Sequence, residues 1–244
     1  MQRQGRILVR RAHDGADSAI NAMAEVGPGA KRSNLARLEQ IRQLLSAHFR
    51  SGRMLRFESA FGLTKDTSVL DLGGTSFNWQ FVSARPRLTI LNMEPTMREP
   101  GEARWVIGDG KYLPFARHAF DVVYSNSVIE HVGDRQSQVR LAEECRRVGR
   151  RFYVQTPNRL FPIEPHVLTP FFHWMPRGVQ RCLIRNFTVW GWMARPSREY
   201  CDRFLEQTNL LSEADLRRLF PDVEIWKERF MGLTKSLIAV RRDA

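Results

Sequence analysis

From residue 68 onward the chain alternates short apolar runs with glycine-bearing or polar breaks. Ser68-Val69-Leu70-Asp71-Leu72 is apolar at both parities, the pattern of a strand covered on both faces, and Gly73-Gly74 then allows a sharp turn and close approach to a ligand. The turn opens a short helix through Trp79 and Phe81 whose first N–H groups face that turn. Further runs at Leu88 to Met93, Arg104 to Ile107, Phe120 to Tyr124 and Arg151 to Gln155 predict four more strands. Ser127 to Val132 follows the fourth of them, and Asp134 is placed to cap a helix carrying Val139, Leu141, Ala142 and Cys145. Strands alternating with helices predict an α/β fold with a right-handed parallel sheet.

The flanks read differently. Residues 1–30 mix Arg, Gly, Ala and Asp without periodicity and predict a flexible basic arm. Over 31–62 the residues Leu35, Leu38, Ile41, Leu44, Leu45, Phe49, Leu55, Phe57 and Phe61 recur mostly at helical spacing between arginines. They predict one or two amphipathic helices that pack on the sheet edge or cap the site. Residues 63–244 form the main domain, interrupted at 160–204 by a stretch of prolines, aromatics and arginines that fits no βα step and reads as an inserted lid. Phe171, Trp174, Phe187, Trp190 and Trp192 within it either enclose an acceptor or form a satellite core. Ser212-Glu213-Ala214-Asp215 starts a last helix that stops at Pro221, and Val223 to Trp226 and Leu233 to Val240 form a terminal hairpin around Met231-Gly232.

The strand ends carry the candidate chemistry. The polar and glycine residues at Asp71-Leu72-Gly73-Gly74, Glu94, Gly108-Asp109-Gly110 and Ser125-Asn126-Ser127 fall on the rim where an open α/β sheet binds its ligand. Glu94 stands about one βα unit after Asp71, where an acid accepts hydrogen bonds from ribose hydroxyls. A net charge of +12 over 244 residues attracts polyanions without choosing among them. We expect weak, non-specific binding of that kind. Three cysteines, Cys145, Cys182 and Cys201, are too widely spaced for C-x-x-C and read as reduced thiols. No run of about 18 apolar residues occurs, so no membrane-spanning helix is expected, the default compartment is the cytoplasm, and membrane contact would be peripheral.

The series Asp71-Leu72-Gly73-Gly74, Glu94, Gly108 to Phe115, Phe120 to Val132 and Tyr153 to Asn158 resembles the class I S-adenosylmethionine-dependent methyltransferases, particularly the small-molecule group that includes quinone-biosynthesis enzymes. The resemblance implies a Rossmann-like doubly wound sheet, mostly parallel, with a C-terminal antiparallel hairpin strand, together with the N-terminal helices and the lid. It implies S-adenosyl-L-methionine as cofactor. Asp71 and Gly73 would surround the methionine part, Glu94 the ribose and Asp109 the adenine amino group, with Gly74, Thr75, Gly110 and Asn126 completing the cofactor site and Leu113-Pro114-Phe115 packing beneath the adenine. The family's loop, acid-x-Gly-x-Gly-x-Gly, is altered here: Gly74 is shifted by one and Thr75 and Phe77 stand at the later glycine positions. No Asn/Asp-Pro-Pro-aromatic motif follows the fourth strand, which argues against the amino-methylating nucleic-acid enzymes.

Methyl transfer from a sulfonium needs position and a dry site more than a nucleophile. For a hydroxyl acceptor a base is useful, and Glu130, His131, Glu164 and His166, beyond the fourth and fifth strands, are the catalytic candidates. No H-x-x-x-H or comparable ligand spacing occurs, so no metal is expected. The expected activity is methyl transfer to a hydroxyl or related group of a small molecule, lipid- or sugar-linked acceptors included. The alternatives are an RNA methyltransferase and a non-catalytic S-adenosylmethionine-binding protein. A dinucleotide oxidoreductase ranks below them because Gly73 to Asn78 does not match G-x-G-x-x-G.

Overall fold

A computed structural model describes residues 50–93, 103–221 and 223–243. The expectations for the basic arm, for most of the N-terminal helices and for Glu94 lie outside these residues. Five parallel strands, β1 (Ser68–Leu72), β2 (Arg87–Asn92), β3 (Arg104–Ile107), β4 (Phe120–Asn126) and β5 (Gly149–Pro157), are followed in the chain by a small ribbon of β6 (Ile163–Glu164) and β7 (Thr169–Pro170). The terminal hairpin is β8 (Glu224–Phe230) and β9 (Leu233–Arg241). The main sheet runs β3-β2-β1-β4-β5-β9-β8, with β9 antiparallel to both of its neighbours. This is the Rossmann-like, doubly wound sheet with a C-terminal antiparallel pair. The strand order reverses between β1 and β4, where such sheets bind ligands.

Some boundaries differ from the sequence expectation. β5 stays extended to Pro157 because β9 pairs with it from Phe152↔Arg241 to Pro157↔Ser236. β8 continues past Trp226 to Phe230 although Lys227, Glu228 and Arg229 break the apolar pattern, since an edge strand leaves one side wet. After β4 the chain makes only a 3-10 turn, Ile129–His131, and helix begins at Arg135, where the Asp134 carboxylate accepts from the Ser137 N–H at 2.8 Å.

The helices cover both faces. Helix α1, described over residues 50–61, lays Met54, Phe57 and Phe61 on one face of the sheet while Leu55, expected among its apolar positions, is 55% exposed. There Phe57 sits among Phe61, Tyr124 and Tyr153, and the two tyrosines stack at 5.4 Å. Burying three such side chains contributes several kcal/mol of apolar stabilisation. Helix α2 (Ser76–Trp79) stops at Trp79, short of Phe81. On the opposite face α3 (Arg135–Val148) packs Leu141, Ala142, Cys145 and Val148 against Leu70, Leu72 and Val123.

The lid has a core of its own. After the ribbon come a 3-10 turn (Phe172–Trp174) and helices α4 (Arg177–Phe187), α5 (Val189–Ala194) and α6 (Arg198–Gln207), which enclose Val167, Phe172, Ile184, Trp190, Tyr200 and Phe204. α4 and α5 meet backbone to backbone at Gly191, where a Cβ would lie 2.0 Å from the Ile184 carbonyl oxygen. Of the five lid aromatics singled out above only Trp190 joins this core; Phe171, Trp174, Phe187 and Trp192 are exposed. Helix α7 (Glu213–Leu219) opens with the predicted capping box between Ser212 and Asp215 and returns the chain to β8. Cys145, Cys182 and Cys201 are all free, as read from their spacing. Among the described residues no helix is long and apolar enough to cross a membrane.

Candidate functional site: a cofactor rim and an acceptor-side cluster

The loop after β1 is shaped from below. Asp71 has the parity of Val69, points to the α1 face and is fully buried, with its Oδ2 accepting from Trp79 Nε1 at 2.7 Å. Burial pushes its carboxyl up to about 8, opposed by the Trp79 hydrogen bond. Gly74 rests directly on that carboxyl: a Cβ would stand 1.8 Å from Asp71 Oδ2. Gly73 has φ +67, and a Cβ there would meet Val128 at 2.6 Å. The two glycines are therefore required by the turn and by Asp71, which supports the loop from beneath. The altered loop pattern is thereby accounted for: Gly74 answers to its own carboxyl neighbour, and Thr75 serves as the extended N-cap of α2 without a side-chain cap bond.

The rim beside it is a narrow cleft lined by Gly73, Leu91, Asn92, Asp109, Gly110 and Lys111, with Leu72, Val128 and Leu141 below. Asn92 was not singled out by sequence, yet its Nδ2 donates to the Gly74 carbonyl at 2.6 Å and ties the end of β2 to the loop. A polar residue closing an apolar strand was the available signal. Asp109 Oδ1 accepts from the Lys111 N–H at 2.9 Å, and its Oδ2 lies 3.4 Å from Lys111 Nζ. The segment after it is fixed by α3, since Arg147 donates to the Phe115 and Leu113 carbonyls at 2.7 and 3.0 Å while Glu144 accepts from the Leu113 N–H. Leu113 and Phe115 consequently pack into the core with Phe120, and neither lines the cleft. The structure thus brings Gly73, Asp109 and Gly110 together on the cleft wall, sets Asp71 beneath the loop, and leaves Thr75 and Asn126 off the wall. An apolar floor, polar edges and a glycine wall fit a nucleoside cofactor, which Gly73, Asn92, Asp109 and Gly110 would hold.

Asn126 turns the other way. Its Oδ1 accepts from Arg53 Nη1, and the Arg53 guanidinium is clamped by both Glu228 oxygens at 2.6 Å each. This buried fork joins α1, the end of β4 and β8, and carboxylate pairing holds the arginine charged despite its burial. In the sequence Arg53 is one of the arginines between the apolar positions of residues 31–62, and nothing local marks it because its partner lies 175 residues away.

The four catalytic candidates converge. Glu130 and His131 come from the turn after β4, Glu164 and His166 from the lid ribbon, and all are buried or nearly so. The two imidazoles meet at 3.0 Å between Nε2 atoms. His166 Nδ1 donates to Glu164 Oε1 at 2.6 Å, while Glu164 Oε2 accepts from the His166 and Val167 N–H groups at 2.8 and 2.6 Å. His131 Nδ1 lies 3.5 Å from Thr208 Oγ1. Glu130 Oε2 accepts from Thr156 Oγ1 at 2.9 Å, and Oε1 has no partner among the described residues. Burial pushes Glu130 up to about 7, opposed by His166, and burial holds His131 well below the usual imidazole value. For Glu164 burial is opposed by His166 and by the two backbone donors, and the net shift is downward. Beside the cluster a cavity of about 380 Å³ opens within the lid segment, lined by Arg159, Glu164, Phe172, Arg177, Phe204 and Thr208 among others; of the four candidates Glu164 lines it and the other three stand behind.

Residues 71–151 match the family model described as "Methyltransferase domain". No curated protein matches the chain. Among solved structures, the magnesium protoporphyrin IX methyltransferase of Synechocystis PCC 6803 with bound SAH is similar over 93% of this chain and 95% of that one, at 12% identity and TM-score 0.54. A chain of the complex between the Haloferax volcanii Trm112 methyltransferase activator and its partner is similar over 94% and 98%, at 14% identity and TM-score 0.51. A protein of Bordetella parapertussis is similar over 94% and 80%, at 16% identity and TM-score 0.55. The sheet order is that of the Rossmann-like methyltransferase fold, and the domain matched over residues 71–151 supports a methyltransferase that uses S-adenosylmethionine.

Proposed function

We propose that the enzyme methylates a hydroxyl or related group of a small molecule, lipid- or sugar-linked acceptors included, seated in the cavity of the lid segment. The observation that carries this reading is the cavity beside the four-residue cluster: its size suits a small molecule, its Phe172, Phe204 and Leu205 suit an apolar body, and Arg159 and Arg177 suit an anionic group. Quinol-like acceptors, the group suggested by the sequence resemblance, meet the apolar part of that description. The bound cofactor supplies an electrophilic methyl group on its sulfonium. Gly73, Asn92, Asp109 and Gly110 hold it along the rim, with Asp71, Gly74 and Thr75 shaping the loop and Glu94 on the ribose.

On the acceptor side Glu130, with one carboxylate oxygen unpartnered, and His166, aligned by Glu164 and backed by His131, receive the acceptor's proton. The basic surface gives only weak, salt-sensitive polyanion binding, and three free thiols agree with work in the cytoplasm.

The test is transfer of a labelled methyl group by the purified chain to separate pools of quinols, phenols, glycolipids and RNA. Transfer to one of the first three is the expected result. Transfer to RNA, with binding that persists at physiological salt, would replace this reading by the nucleic-acid one. Cofactor binding without transfer to any pool would leave a non-catalytic cofactor-binding protein.

A further inference from the structure

The residues Glu130, His131 and His166 each offer one ligand atom, and those atoms lie within 4.8 Å of one another. We propose that they form a binding site for a single borderline divalent transition-metal ion, zinc foremost, that ties the lid to the rim of the sheet. This goes beyond the acceptor reading, which needs no metal.

Three features of the cluster carry the inference. First, the donors are two imidazole nitrogens and one carboxylate oxygen, a set that suits zinc and its neighbours and not the all-oxygen preference of magnesium or calcium. The two Nε2 atoms are 3.0 Å apart, close to the roughly 3.4 Å separation of ligands around a tetrahedral ion with bonds of about 2.0–2.1 Å. Second, the outer groups orient the ligands as metal sites require. Glu164 accepts from His166 Nδ1 at 2.6 Å and is itself fixed by two backbone N–H groups, so the lone pair of His166 sits on Nε2. Thr208 Oγ1 stands 3.5 Å from Nδ1 of His131 on the far side of that ring. Third, Glu130 is fully buried with Oε1 unpartnered, and Glu164 is buried close by. No described Lys or Arg forms an ion pair with either carboxylate, and only the His166 imidazole faces Glu164, so a doubly positive ion would supply the charge that Glu130 lacks.

The ligands come from different layers. Glu130 and His131 belong to the turn after β4, and His166 follows β6 in the lid, 35 residues from His131. An ion held by all three would anchor the lid over the sheet edge. Because it would use the Glu130 carboxylate and the His166 ring nitrogen that receive a proton in the metal-free enzyme, the loaded and metal-free proteins are two states of the acceptor side.

The full chain is stripped with a chelator and titrated with Zn²⁺ against a competing chelator, and with Co²⁺ followed by visible absorption. The expected result is one ion per chain, tetrahedral cobalt bands and a rise in Tm of about 5 °C or more at ion concentrations of about 100 times Kd. Glu130→Gln and His166→Ala should each weaken binding about 100-fold, and Glu164→Gln about 10-fold through loss of orientation. His118→Asn, in an exposed histidine outside the cluster, should leave binding unchanged. Should the buried variants fail to fold, ring-nitrogen NMR of the six histidines in the unaltered chain decides the matter, with His131 and His166 perturbed by Zn²⁺. Absence of a stoichiometric ion, binding retained within about twofold in both ligand variants, or perturbation confined to other histidines would overturn the site. Calorimetry with the cofactor and methyl transfer on the same stripped sample report on the proposed function separately.

Discussion

The proposed cofactor rim and the proposed acceptor side are built by opposite means. On the rim the loop after β1 is set by neighbours in sequence: Gly73 needs its positive φ, Gly74 needs the absence of a Cβ above Asp71, and Trp79 closes on the same carboxyl eight residues later. On the acceptor side Glu130, His131 and His166 each meet a partner that arrives from another element, while Glu164 is held by neighbours in sequence and aligns His166. A rim of this kind tolerates little change in backbone volume, whereas the cluster depends on individual polar groups. Perturbations should therefore separate cofactor binding from turnover.

The largest separation is expected from Gly74→Ala. A Cβ 1.8 Å from a buried carboxylate oxygen must displace the loop, at the upper end of overpacking costs, so cofactor affinity measured by calorimetry should fall about 100-fold. An affinity within about threefold of the parent would show that Asp71 yields freely and that the rim is not pre-shaped. His166→Ala should do the converse, lowering turnover about 50-fold while cofactor affinity stays within about twofold, because it removes a group on the acceptor side alone. Equal losses in both would make the cluster a support for the fold.

The rim also has a pH signature. The folded carboxyl of Asp71, at about 8, lies above its ordinary value of 3.8, so between those values the folded state binds more protons than the unfolded one. Stability from this residue is then present at low pH and declines as pH rises from about 4 to about 8. Asp71→Asn should remove a decline of the order of 2 kcal/mol between pH 5 and 8, read from urea unfolding, with Tyr124, on which the Asp71 charge acts, staying neutral throughout because burial raises it well above 10. An unchanged pH slope would mean that the carboxyl is not the buried acid described. The smallest effect is expected in the lid cavity, where Arg177→Ala should raise the acceptor KM about tenfold with kcat nearly constant, if an anionic group on the acceptor pairs there. An unchanged KM would move the anion to Arg159 or out of the cavity.

Much of the rim was legible in the sequence because its causes are local. Apolar runs mark β1 to β5, glycines and acids mark their ends, and Asp134 and the Ser212–Asp215 box mark helix starts at the residues where they occur. Glu130, His131, Glu164 and His166 were legible as a set of reactive types beyond two strands, but their meeting was not. Neither ligand spacing nor helical periodicity links residues 35 positions apart, and it takes the β6–β7 ribbon folding back over the turn after β4 to bring them within hydrogen-bonding distance. Asn92 and Arg53 were missed for the same reason, since a carbonyl at Gly74 and a carboxylate at Glu228 give them their roles.

By itself the sequence determined the order of strands and helices outside residues 160–204 and the glycine turn after β1, because hydrophobic periodicity and glycine sterics act within a few residues. Only the tertiary structure decided that the acid of the glycine loop lies beneath it, that Asn126 faces a buried arginine, and that two acids and two histidines share one buried point. Those outcomes depend on which faces of distant elements are pressed together, and burial then fixes which of the groups brought there can hold a charge.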